Sequence, residues 1–259
     1  ELDIKTTYVL PVTIKSVEGI GVLQSAKTYY YVFRGASLIN VVCNISRNRA
    51  YPDFKNDSKF NNLTENTMEI LFKANSFPNT LNTLMGIESN YLLRIGDATI
   101  PNNQLQVATS VNNCTSADLQ LESGKWYHVA VAFNKGNVKV YINGVEKLSG
   151  STGKSSVSLG AKHTNEEDGS RCFWVGYSYK DDRYFDGVVS EVRIWNRALT
   201  AEEIQATNHF YTIEPESEGL IAYWKFDEGS GTVAKDYSVS GYDLTIEKEP
   251  KWESVSLPQ

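Results

Sequence analysis

The chain has 259 residues, with 25 Lys and Arg against 31 Asp and Glu, a net charge of −6. That balance, with no run of basic residues, excludes nucleic acid as a partner, and no apolar run approaches the roughly 18 residues of a membrane-spanning helix. Aromatics make up 12%, with 15 Tyr and 5 Trp, the profile of a β-rich chain that exposes aromatic surface.

Residues 1–35 read as a separate pair of strands, YVLPVTIKS and KTYYYVFRG, joined by a Gly-containing connection. A lone hairpin is marginal in water, so the pair either completes a domain or packs on the one that follows. The chain opens inside a strand-like pattern, ELDIKTTYVLPV. The expectation is that the mature protein extends upstream, with its export signal there.

From residue 36 onward the pattern alternates with period two, the mark of half-buried antiparallel strands. MEILFKA places Met68, Ile70 and Phe72 on one face and Glu69, Leu71 and Lys73 on the other. WYHVAVAF aligns Tyr127, Val129, Val131 and Phe133, and VKVYI aligns Val138, Val140 and Ile142. SEVRIWN turns Val192 and Ile194 inward and leaves Glu191 and Arg193 facing out. Asn143-Gly144 is a strong hairpin signal, because both residues tolerate positive φ. LTAEEIQAT carries Thr200 three residues before Glu203, a capping box that predicts one short helix. Many strands with turn punctuation and a single short helix predict an all-β sandwich. Late in the chain GLIAYWKFDEGSG (219–231) reads as one more strand, with Trp224 and Phe226 two apart and expected in the core.

Three stretches carry a family resemblance. GKWYHVAVAFNKGNVKVYINGVEKLSG (124–150) resembles the central hairpin of laminin-G-like domains of the concanavalin A-like lectin/glucanase superfamily. YFDGVVSEVRIWNRALTAEEIQA (184–206) resembles that family's closing strand and helix, and FNNLTENTMEILFKANSF (60–77) an early strand. The resemblance spans roughly residues 37–253 and implies an antiparallel jelly-roll sandwich over residues 36–259. Such domains usually open with a stretch like 219–246, which here follows the closing helix. Either a second, truncated domain begins there, or the usual first strand has moved to the end. The second is favoured: nothing before residue 37 resembles the opening strand, and sandwich termini often lie close together. Residues 1–35 resemble the last strands of a small immunoglobulin-like domain, as in surface lipoproteins of gut bacteria. That resemblance implies export to the cell surface or outer membrane, with membrane contact only through a lipid anchor upstream.

Catalysis finds little support. Glucanases of the superfamily carry two carboxylates on one strand face in an E-x-D-x-x-E spacing, as a retaining mechanism needs; no such triplet occurs. Asp186 and Glu191 are five apart and expected on opposite faces. His128 reads as a hydrogen-bonded strand residue, His163 lies in a polar loop and His209 follows the helix. Cys43, Cys114 and Cys172 fit no zinc or redox spacing and read as small buried side chains.

Many relatives bind calcium at a sandwich edge, which makes calcium possible here. Candidate ligands are Asp227, Asp236 and Asp243, with further acids at Glu166–Asp168 and Asp181–Asp182. Where many relatives read DEVRIW this chain has Ser190 in place of the acid, which weakens that case. For a glycan, aromatic faces and planar polar groups are needed. The run YSYKDDRYF supplies Tyr177, Tyr179, Asp181, Asp182, Arg183 and Tyr184 at a strand end, and ESNYLLR supplies Asn90, Tyr91 and Arg94. The leading reading is a non-catalytic module that binds a glycan or glycoprotein. The alternatives are a structural or adhesion module without a sugar site, and a glycoside hydrolase; the fold alone does not choose among them.

Overall fold

The computed structural model describes residues 7–14, 28–34, 37–164, 171–178 and 181–258. They divide into two units, Glu1–Asn40 with Ser256–Gln259, and Val41–Val255. In the first, β1 (Thr7–Thr13) and β2 (Thr28–Arg34) pair antiparallel, Leu10 opposite Tyr31 and Val12 opposite Tyr29. Val9, Leu10, Val12, Tyr29, Tyr30 and Tyr31 of this ribbon are all exposed.

Alternating apolar side chains build the sandwich. Its strands are β3 (Ile39–Asn44), β4 (Ala50–Pro52), β5 (Glu65–Ala74), β6 (Asn82–Ile87), β7 (Tyr91–Asp97), β8 (Ile100–Ala108), β9 (Asn113–Cys114), β10 (Trp126–Asn134), β11 (Asn137–Ile142) and β12 (Val145–Ser151). There follow β13 (Trp174–Val175), β14 (Gly187–Trp195), helix α1 (Ala201–Ile204), β15 (Leu220–Trp224), β16 (Val233–Ala234), β17 (Leu244–Ile246) and β18 (Lys251–Leu257). One sheet runs β12-β11-β10-β5-β14-β3-β18, with β15 also paired to β14; the other runs β16-β17-β4-β13-β6-β7-β8-β9. The pairings are antiparallel throughout the described registers, and the fold is the all-β sandwich of the jelly-roll kind that the sequence predicts.

Between the sheets lies one large core. Met68, Ile70 and Phe72 of β5 and Val129, Val131 and Phe133 of β10 meet Tyr91, Leu93, Ile95, Leu105 and Val107 of the other sheet. Trp224 and Phe226 are fully buried in it, and Trp224 Nε1 donates to the Tyr242 carbonyl at 2.8 Å. The segment 219–246 thus gives β15 to one sheet and β16 and β17 to the other. Local signals hold as well. Asn143 and Gly144 have φ of 49° and 77°, the primed hairpin turn, and Thr200 and Glu203 form both bonds of the capping box on α1. The three cysteines are buried free thiols.

Two strand faces depart from expectation. Glu191 and Arg193, read as facing out, are buried, and so are Glu69 and Leu71 on the second face of β5. A second apolar cluster covers that side: Ala130, Ala132, Trp195 and Tyr223 from the strands, with Leu199 and Ile204 from the segment around α1 and Phe210 and Ile213 packed against them. At Glu191 the β14 register shifts between Ser190 and Val192, and Glu191 takes φ of 42°. The bulge falls where the neighbour of β14 changes from β3 to β15. It also switches the core-facing positions from odd, at Val189, to even, at Val192 and Ile194, so parity counted from Asp186 to Glu191 does not assign faces.

Candidate ligand-binding site

Around β13, Phe173 and Val175 lie in the core and Trp174 on the opposite side, where it clusters with Cys172 and Tyr177. The chain then leaves the sheet at Gly176, whose φ of 80° suits a glycine. The base of the following loop is closed by Phe185 N donating to the Gly176 carbonyl at 2.9 Å. Thr83 Oγ1 donates to Ser178 Oγ at 2.9 Å, and Arg183 Nη1 to Glu88 Oε2 at 2.9 Å, tying the loop to the sheet beneath. Tyr184 packs its ring 4.8 Å from that of Tyr177. The Arg49 guanidinium lies 4.9 Å from the Trp174 ring and 4.6 Å from the Tyr177 ring, and pairs with Glu247.

Beside this aromatic group opens a cleft of about 610 Å³, lined by Ser46, Arg47, Asn79, Tyr184, Asp186 and Lys248 among others. Asp186 is held from both sides. Ser46 Oγ donates to its Oδ1 at 2.7 Å and Ser76 Oγ to its Oδ2 at 2.5 Å. Asn79 Nδ2 donates to the Tyr184 carbonyl at 3.0 Å and steadies the aromatic wall. Opposite, Asn48 stitches two turns together. Its Nδ2 donates to the Lys248 carbonyl at 2.7 Å, while its Oδ1 accepts from Arg49 N at 2.9 Å and Lys248 N at 3.2 Å. Neighbouring Arg47 has φ of 52°, an uncommon conformation for a side-chain-bearing residue.

Of the residues singled out in the sequence, Tyr184 and half-buried Arg183 reach this region, and Asp182 is exposed beside them. Tyr179 lies outside the described residues, as does the Asp181 side chain. Tyr177 is buried at 2% exposure and serves as a packing platform rather than an exposed contact. Tyr91 is a correction: it is fully buried in the core. It stands three positions from Arg94 on β7, so the two point to opposite faces. Arg94, on the outer face, is nearly buried; its Nε donates to Gln106 Oε1 at 2.8 Å and it pairs with Asp97. Burial holds its pKa below the ordinary guanidinium value.

The acids named as calcium candidates make hydrogen bonds to their own chain. Asp236 Oδ1 accepts from Tyr223 N at 3.0 Å and Ser238 N at 2.8 Å, and its Oδ2 from Tyr242 N at 2.8 Å. Burial raises its pKa. Asp243 Oδ1 accepts from Asp236 N at 2.8 Å, and Asp227 Oδ1 from Tyr237 Oη at 3.5 Å. These carboxylates fold a loop.

Sequence reasoning did not bring together the buried polar network under α1. Glu69 Oε1 receives His209 Nε2 at 2.6 Å, and its Oε2 receives Trp195 Nε1 at 2.6 Å. His128 Nε2 lies 3.3 Å from Oε1, off hydrogen-bond alignment. Arg193 Nη1 donates to the His209 carbonyl at 2.6 Å and stands 3.7 Å from Glu69 Oε2, while Nη2 binds Glu191. Tyr223 Oη donates to Glu191 Oε2 at 2.7 Å. Burial opposes the Glu69 charge, but the two histidines and Arg193 outweigh it and hold its pKa well below the ordinary carboxylate range. Burial lowers the pKa of His128 and raises that of Glu191. The ligand atoms of Glu69, His128 and His209 lie within 4.8 Å of one another, a spacing a divalent ion would suit. Here Arg193 supplies a counter-charge and Trp195 takes the second oxygen, while both ring nitrogens of His128 and Arg193 Nε are buried without a hydrogen-bond partner among the described residues.

The fold and the cleft define a lectin-like sandwich. The chain belongs to the concanavalin A-like lectin/glucanases superfamily: its Laminin_G_3 model matches residues 48–205. No curated protein matches the chain. Among solved structures, a protein of Bacteroides ovatus ATCC 8483 proposed to bind carbohydrate is 26% identical, with a TM-score of 0.71 over 98% of this chain and 70% of that one. Domain 4 of AbnA, a GH43 extracellular arabinanase of Geobacillus stearothermophilus solved with arabinotriose, is 21% identical with a TM-score of 0.49, over 66% of this chain and 76% of that one. The SAP-like pentraxin of Limulus polyphemus is 14% identical with a TM-score of 0.41, over 81% and 84% of the two chains.

Proposed function

We propose that this chain is a non-catalytic carbohydrate-binding module of an exported cell-surface protein, and that its glycan enters the cleft beside Tyr184. The observation that carries this reading is the similarity to the Bacteroides ovatus protein along 98% of the chain. The cleft agrees with it. Tyr184 offers an aromatic face, and Asn79, Ser46 and Ser76 offer polar groups of the kind that satisfy sugar hydroxyls. Its carboxylate, Asp186, has both oxygens engaged by seryl hydroxyls, which suits binding better than acid–base work. In the same reading β1 and β2 belong to a small immunoglobulin-like domain anchored upstream through a lipid, and 219–246 takes the place of the strand with which relatives open.

The test is a glycan array followed by calorimetry on the parent and a Tyr184→Ala variant. The variant is expected to lose at least tenfold in affinity, in line with about 1–3 kcal/mol for an aromatic stacking contact (a scale set by nucleic-acid bases), and to melt within a few degrees of the parent. Undiminished binding would move the site elsewhere. The exposed apolar side chains of β1 and β2 favour a second reading, an adhesion module that grips protein. A parent that ignores every glycan but retains a glycoprotein after its glycans are removed would establish that reading instead.

A further inference from the structure

The cleft is cationic in a chain of net charge −6. Arg47 and Lys248 are exposed at its lining, and among the described residues neither makes an ion pair. Asp186 is the acid of the lining, and the two seryl hydroxyls that clasp it leave its carboxylate turned to its own scaffold. The two cations come from distant turns, 46–49 and 247–248. They are brought to one cleft by Asn48, which is 5% exposed and spends both ends of its amide on the two backbones. Like charges held around one opening repel each other, and a turn that places Arg47 at φ of 52° adds backbone cost. Nearby Arg49 does not share this role, since Glu247 neutralises it.

We infer that the cleft selects acidic glycans, with Arg47 and Lys248 receiving a sugar-borne carboxylate or sulfate while a sugar ring lies against Tyr184. The inference rests on the reading of this cleft as a carbohydrate site. A guanidinium offers two parallel donors to such an anion and an ammonium offers a point charge beside it. Because the contacts lie at an open cleft, the attraction is screened by salt.

The experiment compares matched ligands by calorimetry. One pair is a uronate oligosaccharide and its carboxyl-reduced form; the other is a sulfated galactan oligosaccharide and its desulfated form. The parent should bind at least one charged member tenfold or more tighter than its neutral counterpart, and the pair that responds identifies the anion. That preference should shrink as sodium chloride rises from 50 to 500 mM, roughly the range over which the screening length falls severalfold. In an Arg47→Gln/Lys248→Gln variant the charged-to-neutral ratio should collapse toward one. The parent comparison stands even if the variant misfolds, and a Lys248→Gln single variant should lose part of the ratio. Equal affinity for charged and neutral members would overturn the acidic selectivity and leave the carbohydrate reading intact. Absence of binding to all four, and to every glycan of the array, would overturn both.

Discussion

Two regions of this molecule bring arginine and carboxylate together, and they differ in what closes them. Under α1, Arg193 lies among Glu69, Glu191, His128, His209 and Tyr223, all at or below 8% exposure, and the cover of Leu199, Ile204 and Phe210 excludes water. At the cleft, Arg47 and Lys248 stand in solvent beside an acid already bound to serines. In the first region the arginine and carboxylate charges pair with one another inside the fold. In the second, cations remain for something outside the chain. The contrast separates structural polar groups from ligand-facing ones more sharply than residue type does.

The largest expected effect breaks the sealed region. Arg193→Ala leaves Glu69 and Glu191 buried without their guanidinium and should cost about 3–5 kcal/mol in urea unfolding. Arg47→Ala, the same chemical change at the cleft, should fall within about 0.5 kcal/mol of the parent. Similar values for the two would mean that the cover over Arg193 admits water, and the contrast would fail.

A middling effect comes from pH. Burial sets the His128 pKa below its ordinary value of about 6.5. Below that value the unfolded chain takes up a proton that the folded chain refuses, so stability is full above about pH 6.5 and falls as pH drops. Glu69, with its pKa depressed, adds a further loss that begins below about pH 4.5. Glu191, raised by burial, acts in the opposite sense, because acid relieves its charge. A His128→Gln variant isolates the histidine. Between pH 6.5 and 5.5 the parent should lose stability more steeply than the variant, by up to about 1.4 kcal/mol per pH unit. Parallel slopes would show that His128 titrates in the fold as it does in water.

Much of the sandwich is legible in the residues, and the reasons for the rest are physical. Period two in MEILFKA and WYHVAVAF separates two faces and correctly sends Met68, Ile70 and Val131 into the core. It does not say whether the other face meets water. Glu69 and Arg193 are hidden by a segment that arrives more than a hundred residues after Glu69, and the signal for it was the apolar set Leu199, Ile204, Phe210 and Ile213, which must bury against something. Tyr91 and Arg94 were grouped by nearness in sequence although strand geometry parts them. At the candidate site, the loop from Tyr177 to Phe185 is visible as a break in alternation. The contributions of Arg47 and Lys248 are not, because they depend on an Asn48 side chain that joins turns 200 residues apart.

The smallest expected effect tests a third group of acids, of which Asp236 is buried like the sealed kind while Asp227 and Asp243 are exposed. A calcium ion takes six to eight oxygens, several of them carboxylate. Asp236 gives its oxygens to three backbone N–H groups, and Asp243 directs Oδ1 to the Asp236 amide. An ion there would have to displace those bonds, each worth about 1 kcal/mol or more to a charged acceptor. Ser190, where the family resemblance leads to the expectation of an acid, is fully buried and donates to the Lys225 carbonyl at 3.4 Å. Excess chelator should therefore leave the melting temperature within about a degree and glycan affinity within twofold. An Asp236→Ala variant should still lose roughly 1–3 kcal/mol, because three buried or half-buried amides lose their acceptor. A fall of ten degrees on chelation, restored by calcium, would show that these carboxylates serve an ion and that the loop bonds are only its resting arrangement.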